Sequence, residues 1–198
     1  MNEIVFFDLE TGGFNPNKHA IIQIAAIAVD ASTFETTGEF ECKVQFPHSA
    51  ADPEALKANN YDADVWATEA IHPDKAAPAF STFLSDHATV PMVSKAGKDY
   101  VVAQGAAHNA KFDASFIQAW YRRRNAFLSM SFNVLCTYQL AAWHYLNRDD
   151  APENLNLETL AFHLKIWDSK DKYHDAMQDV KTTVQIAKRL TRSEKVNS

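Results

Sequence analysis

Residues 4–14 read Ile4-Val5-Phe6-Phe7-Asp8-Leu9-Glu10-Thr11-Gly12-Gly13-Phe14, and the change of character at Asp8 decides how the chain is read. The first four residues are β-branched or aromatic and suit a buried strand. Side chains two apart on a strand point the same way, so Asp8 and Glu10 project together from its end. Gly12 and Gly13 follow at once and let other groups come close to that end. Neighbouring carboxylates repel each other unless a proton or a divalent cation lies between them. Such pairs also occur at strand ends that simply face solvent, so the residues downstream must decide.

Outward from this strand, Ala20–Val29 forms a second buried run, turned by Asp30-Ala31-Ser32. A third strand is expected over about Gly38–Phe46, which makes an antiparallel meander with the carboxylate pair on its first member. Pro53–Ala58 reads as a short helix with Asp52 as N-cap, and Asp74–His87 as a longer one. Pro91 is expected to break the chain, with a loop at Lys95–Asp99. A fourth strand follows over Tyr100–Ala106, then a helix to about Arg124 carrying Phe116, Ile117 and Trp120 at helical spacing. Asn133–Cys136 suits a short fifth strand, and Thr137–Tyr145 a helix. Another helix, capped by Asn156, runs to Leu164, and the last covers Asp175–Leu190. Without repeats, linkers or low-complexity tracts, residues 1–198 read as one domain with a polar tail from about residue 192.

Composition narrows the class. With 46% hydrophobic and 22% charged residues, the 198-residue chain is an ordinary globular sequence. Two cysteines, Cys42 and Cys136, argue against a disulfide scaffold and read as buried thiols in a reducing compartment. The N-terminus lacks the pattern of a signal peptide, and no apolar run reaches membrane-spanning length. The expectation is a cytoplasmic protein with no membrane partner. A net charge of −6 argues against coating nucleic acid electrostatically, but not against gripping a strand end through bound metal.

Three further residues join the first pair. Asp113 opens a helix directly after a strand, and His174 and Asp179 lie at the head of the last helix. Five residues turn a helix by about 500°, so His174 belongs in the turn before it if both are to reach one centre. Four carboxylates supply hard oxygen ligands for Mg²⁺ or Mn²⁺, and a histidine supplies a base.

The segments Asp8-Leu9-Glu10-Thr11-Gly12-Gly13, His108-Asn109-Ala110-Lys111-Phe112-Asp113 and His174-Asp175-Ala176-Met177-Gln178-Asp179 resemble, in order, the three motifs of the DEDD exonucleases, histidine subtype. Leu157-Glu158-Thr159-Leu160-Ala161 also resembles the helix that precedes the third motif. The resemblance implies a ribonuclease H-like α/β fold, with a central mixed sheet of about five strands flanked by helices. It implies that Asp8, Glu10, Asp113 and Asp179 bind two divalent cations and that His174 is the general base. The implied reaction removes nucleoside 5′-monophosphates from 3′ ends of single-stranded DNA or RNA. Leu9, Thr11, Gly12, Phe14, His108, Asn109 and Phe112 are the implied strand contacts, and His108 and Asn109 are read as supports that orient the turn carrying Asp113, not as metal ligands. The Gly12–Asn15 and Ile21–Ala26 segments are more similar to ribonuclease T than to polymerase proofreading subunits. Phe14 and Phe112 match two of its stacking aromatics, whereas Ala58 and Leu135 stand at two others. A homodimer, a polymerase or repair partner, and a catalytically weak binding module remain open. Asp175 reads as a helix N-terminal acid, Arg122-Arg123-Arg124 as a solvated helix end or backbone contact, and Trp120, Trp143 and Trp167 as core.

Overall fold

The computed structural model describes residues 2–166 and 175–192. In chain order these form β1 (Glu3–Thr11), β2 (Ile21–Asp30), β3 (Thr36–Lys43), α1 (Pro53–Ala58), α2 (Ala63–Glu69) and α3 (Pro73–Asp86). Then come β4 (Val90–Val93), β5 (Asp99–Val102), β6 (Gly105–Ala107), α4 (Lys111–Arg123), β7 (Leu135–Cys136), α5 (Thr137–His144), α6 (Leu157–His163) and α7 (Ala176–Arg192). The central sheet has the order β3-β2-β1-β6-β7. Its first three strands are the expected antiparallel meander, and β6 and β7 add in parallel beside β1.

Both faces of this sheet are covered, which is why β2 is buried from Ile21 to Val29 and reads as an unbroken apolar run. Val5, Phe7 and Leu9 of β1 pack with Phe80 of α3 and Phe116 and Trp120 of α4. Phe80 and Phe116 are fully buried, each stabilising the fold by roughly 2–3 kcal/mol. Phe6 points the other way, into a cluster with Val180, Val184 and Ala187 of α7. The period of two therefore sends Asp8 and Glu10 toward the α7 layer.

Departures from the sequence reading have local causes. The strand expected over Tyr100–Ala106 is two strands: β5 pairs with β4 in a separate ribbon, Ala103 bridges Met130, and only β6 enters the central sheet. Pro91 does not break the chain but sits in β4 opposite Val101, in a ribbon with an unpaired edge that tolerates a missing N–H. The sequence reading contains no α2. Only Trp66 in it is buried, so it shows no apolar period, and Asp62 starts it by accepting from the Asp64 and Val65 amides. Asp52 precedes α1 but makes no side-chain capping bond. Trp120 is core as expected, Trp143 is 76% exposed at the solvent face of α5, and Trp167 lies outside the described residues. Cys42 and Cys136 are only partly buried. Among the described residues no helix is long and apolar enough to cross a membrane.

Candidate active site

The end of β1 is where the two helical layers meet. On α7, Ala176, Val180, Val184 and Ala187 face the sheet and lay the helix over Phe6. Asp179, in the first turn, thereby arrives above Asp8 and Glu10, and the three offer carboxylate oxygens all within 4.8 Å of one another. Asp175 starts this helix as expected, accepting from the amides of Met177 (3.0 Å) and Gln178 (3.2 Å).

Asp113 comes from the opposite layer, in the first turn of α4, and is 3% exposed. Val5 donates its amide to the Gln104 carbonyl, so the period of two points the Leu9 amide toward the same side, beyond where β6 runs alongside. That amide and Asp113's own amide stabilise the Asp113 carboxylate. Asp113 is thus held against β1 and acts electrostatically on Asp8, but stands outside the group of three.

Gathering these acids is electrostatically unfavourable. Burial pushes Glu10 up to about 7, helped by Asp179 and Asp175. Burial likewise raises Asp179 to about 7, with Asp175 adding to it. Asp113 rises to about 8 through burial, against its backbone hydrogen bonds and with the charge of Glu10. Asp8 is raised well above the carboxylate range by burial and then by Asp113, Glu10 and Asp179. The ion pairs among the described residues all lie elsewhere. Close, unpaired, oxygen-only donors of this kind fit divalent Mg²⁺ or Mn²⁺.

The glycine turn builds the adjoining wall. Gly12 donates to Ala20 and accepts from Asp52, and a Cβ on it would sit 2.6 Å from the Ala50 carbonyl oxygen. Gly13 has φ 150°, and a Cβ there would strike the His19 ring and approach Asp52 Oδ2 to 2.9 Å. His19 accepts from the Asn15 amide through Nδ1 (3.0 Å), which leaves the proton on Nε2, 3.2 Å from Asp52 Oδ2. That contact is too poorly aligned for a hydrogen bond, so His19 and Asp52 interact by proximity. Past this turn Phe14 stands 88% exposed, edge-on to Phe112 at 6.3 Å. Both rings line a cleft of about 380 Å³ with Leu9, Glu10, Thr11 and, from α1, Glu54 and Ala58. Thr11 turns its hydroxyl inward to the Gly13 carbonyl (2.8 Å).

His108 and Asn109 act at the turn after β6. Asn109 takes a left-handed φ of 55°, which an asparagine tolerates, and its carbonyl accepts from Phe112. His108 Nε2 donates to the Leu155 carbonyl (3.0 Å), so the neutral ring accepts from Thr137 through Nδ1 (2.9 Å). Burial holds its pKa down at about 4, against the Leu155 bond. His174 lies outside the described residues. The sequence reading missed the α1 wall: Asn59 donates to the Thr11 carbonyl (2.8 Å), and Asp52 lines the cleft. Neither carries a local signal, because each partner lies more than thirty residues away.

Residues 5–187 match the RNase_T family, described as exonuclease. Ribonuclease T of Salmonella choleraesuis is 31% identical over 145 residues, 70% of this chain and 62% of that protein. A PolC-type DNA polymerase III of Clostridium perfringens is 29% identical over 189 residues, 94% of this chain but 11% of the polymerase. The chain therefore spans well under two thirds of the polymerase and just under two thirds of ribonuclease T. Exonuclease I of E. coli, solved with a dT13 oligonucleotide, superposes with a TM-score of 0.73 at 20% identity, covering 98% of this chain and 41% of that one. That likeness gives the fold, the expected ribonuclease H-like arrangement. The matched span takes in most of the chain, with Asp8, Glu10, Asp113 and Asp179 inside it, and this chain belongs to the exonuclease family.

Proposed function

We propose that the chain is a metal-dependent 3′–5′ exonuclease acting on single-stranded DNA or RNA and releasing nucleoside 5′-monophosphates. The carrying observation is the convergence of Asp8, Glu10 and Asp179 within 4.8 Å beside a cleft rimmed by Phe14 and Phe112. Asp8, Glu10, Asp113 and Asp179 would hold a pair of Mg²⁺ or Mn²⁺ ions. Bound there, the cations supply positive charge for the attacking and leaving oxygens. Phe14 and Phe112 hold the terminal base, which places its phosphodiester over the carboxylates. His174, by its place in the third motif, takes the proton from the attacking water. The water oxygen bonds to phosphorus as the P–O3′ bond breaks, and the freed 3′-oxygen takes up a proton. Exonuclease I and ribonuclease T support this reading by what their names and the bound dT13 say of them.

The likeness to part of a PolC-type polymerase favours a second reading, in which the same nuclease unit works through a polymerase or repair partner. The test is a time course on labelled single-stranded DNA, single-stranded RNA, duplex and dinucleotides with Mg²⁺. Stepwise loss from the 3′ end, abolished by chelator and by Asp8→Asn, is expected. Full activity in excess chelator would sink the reading.

A further inference from the structure

Asp52 stands where an aspartate ordinarily accepts from the second or third amide of the helix it precedes, and it makes no such bond. Its carboxylate faces the turn between β1 and β2 instead. Oδ2 lies 3.2 Å from His19 Nε2, and Oδ1 lies 3.4 Å from Lys18 Nζ. The Asp52 amide donates to the Gly12 carbonyl (2.7 Å), and Ala20 donates to the Ala50 carbonyl (2.9 Å). At the other end of α1, Asn59 donates to the Thr11 carbonyl (2.8 Å). A six-residue helix with no buried residue of its own is thereby clipped to the turn at both ends. The cleft takes Gly13 and Phe14 from that turn, and Asp52, Ala55 and Ala58 from α1 and the residue before it.

His19 sits at the first clip and is 6% exposed. Its ring lies against Gly13, where a Cβ would strike it, and its Nδ1 accepts from the Asn15 amide (3.0 Å). One ring therefore holds the backbone on both sides of Phe14. The same ring carries a buried Nε2 donor that makes no hydrogen bond. A buried donor without a partner is costly, and an aliphatic side chain could fill the space under Gly13 without that cost. What the imidazole adds is a donor beside Asp52. Lys18 is 61% exposed, so its own pairing with Asp52 contributes little.

We infer that His19 and Asp52 are positioning residues for the strand end. The pair sets where Phe14 stands relative to α1, and through Phe14 where the terminal base rests. The inference rests on the exonuclease reading above and deepens it by naming what holds the aromatic rim in place. Arg123 donates to the Pro16 carbonyl (2.5 Å) from α4, so losing the His19–Asp52 contact shifts the rim without releasing the loop. Position and charge predict opposite signs here. A carboxylate lining the cleft repels a phosphodiester, so if charge were the whole role of Asp52, neutralising it would tighten binding.

The experiment measures KM, kcat and melting temperature on a short thymidine oligomer with Mg²⁺. It compares the unchanged protein, Asp52→Ala, Asp52→Asn and His19→Leu, and repeats Asp52→Ala in a Phe14→Ala background. Asp52→Ala should raise KM by about threefold or more with kcat held within about twofold, and Asp52→Asn, which keeps shape and an acceptor, should restore most of the loss. His19→Leu should raise KM similarly, and combining it with Asp52→Ala should add little. With Phe14 already removed, Asp52→Ala should leave KM where it is. Should a variant melt low, KM still decides, because unfolding lowers apparent kcat and leaves the KM of the folded fraction alone. An unchanged or lower KM in Asp52→Ala, equal KM values for the Ala and Asn variants, or an undiminished rise in the Phe14→Ala background overturns the inference. No hydrolysis by the unchanged protein removes the exonuclease reading itself, and the positioning role with it.

Discussion

Glu10 on β1 and Asp179 on α7 bring carboxylate oxygens within 4.8 Å of each other, and each raises the strain of a cluster that has no basic partner among the described residues. Their folded pKa values of about 7 exceed the ordinary values of 4.5 and 3.8, and Asp113 reaches about 8. Raised folded values mean that the native state binds more protons than the unfolded chain. With respect to these groups the metal-free protein should therefore be most stable below about pH 4, and should lose that stability as pH rises from there toward 8. The expected slope is on the order of 1 kcal/mol per pH unit for each group titrating. Melting in chelator at pH 5 and pH 8 checks this, and Mg²⁺ should restore the loss at pH 8. A melting temperature that rises over this interval in chelator and is flat in Asp179→Asn would contradict it.

His108 should show the opposite sign. Its folded pKa is held near 4 by burial, below the ordinary 6.5, so the neutral ring stabilises the fold above pH 6.5 and that contribution is lost as pH falls toward 4. Its two hydrogen bonds join the end of β6 to α5 and to the segment before α6. His108→Ala should cost about 1–3 kcal/mol at pH 7 and progressively less near pH 4. The folded variant should keep its cation affinity. Equal destabilisation at both pH values would show that the ring acts only through packing.

Much of this architecture is legible in the sequence because it obeys short periods. Asp8 and Glu10 share a face with Phe6 by the period of two, and α7 announces its buried stripe from Ala176 to Ala187. What is not legible depends on distant partners. Nothing near Pro91 says that Val101 will sit opposite it, and nothing near Asp62 marks a helix with one buried residue. The His19–Asp52 contact under Gly13 joins segments from opposite ends of the turn region, with no periodicity to connect them. Trp143 shows the converse failure: size and hydrophobicity favour burial, yet α5 buries its Thr137 and Ala141 side instead. Of the residues proposed above for catalysis, His174 lies outside the described residues and is proposed from its motif; on that proposal, His174→Ala should lower turnover by about 10²–10⁴-fold with strand binding retained.

Gly13→Ala tests whether the turn matters for function as well as for folding. Its φ of 150° and the His19 ring leave no room for a Cβ. The substitution should cost about 1–3 kcal/mol in stability. Because the turn carries Phe14, KM should rise more than kcat falls. An unchanged KM in the folded variant would detach the turn from strand binding.

Phe14 and Phe112 should separate under the same substitution, because the structure places them differently. Phe14 is 88% exposed and meets Phe112 edge-on, at 6.3 Å. Phe112 is partly buried and leans on Phe116 at 4.9 Å, at the margin of the main core. Phe14→Ala should therefore leave the melting temperature unchanged and weaken binding of a single-stranded 3′ end by the 1–3 kcal/mol typical of one stacked base, about five- to a hundredfold or more. Phe112→Ala removes both a stacking face and a packing contact. It should lower stability by about 1–3 kcal/mol, less than the full cost of emptying a core site, and also weaken end binding. The two rings meet edge to face, so their effects on binding should fall short of additive in the double variant. Strictly additive losses would mean that each ring contacts the strand independently, and a Phe14→Ala protein with normal end binding would remove the cleft from the substrate path.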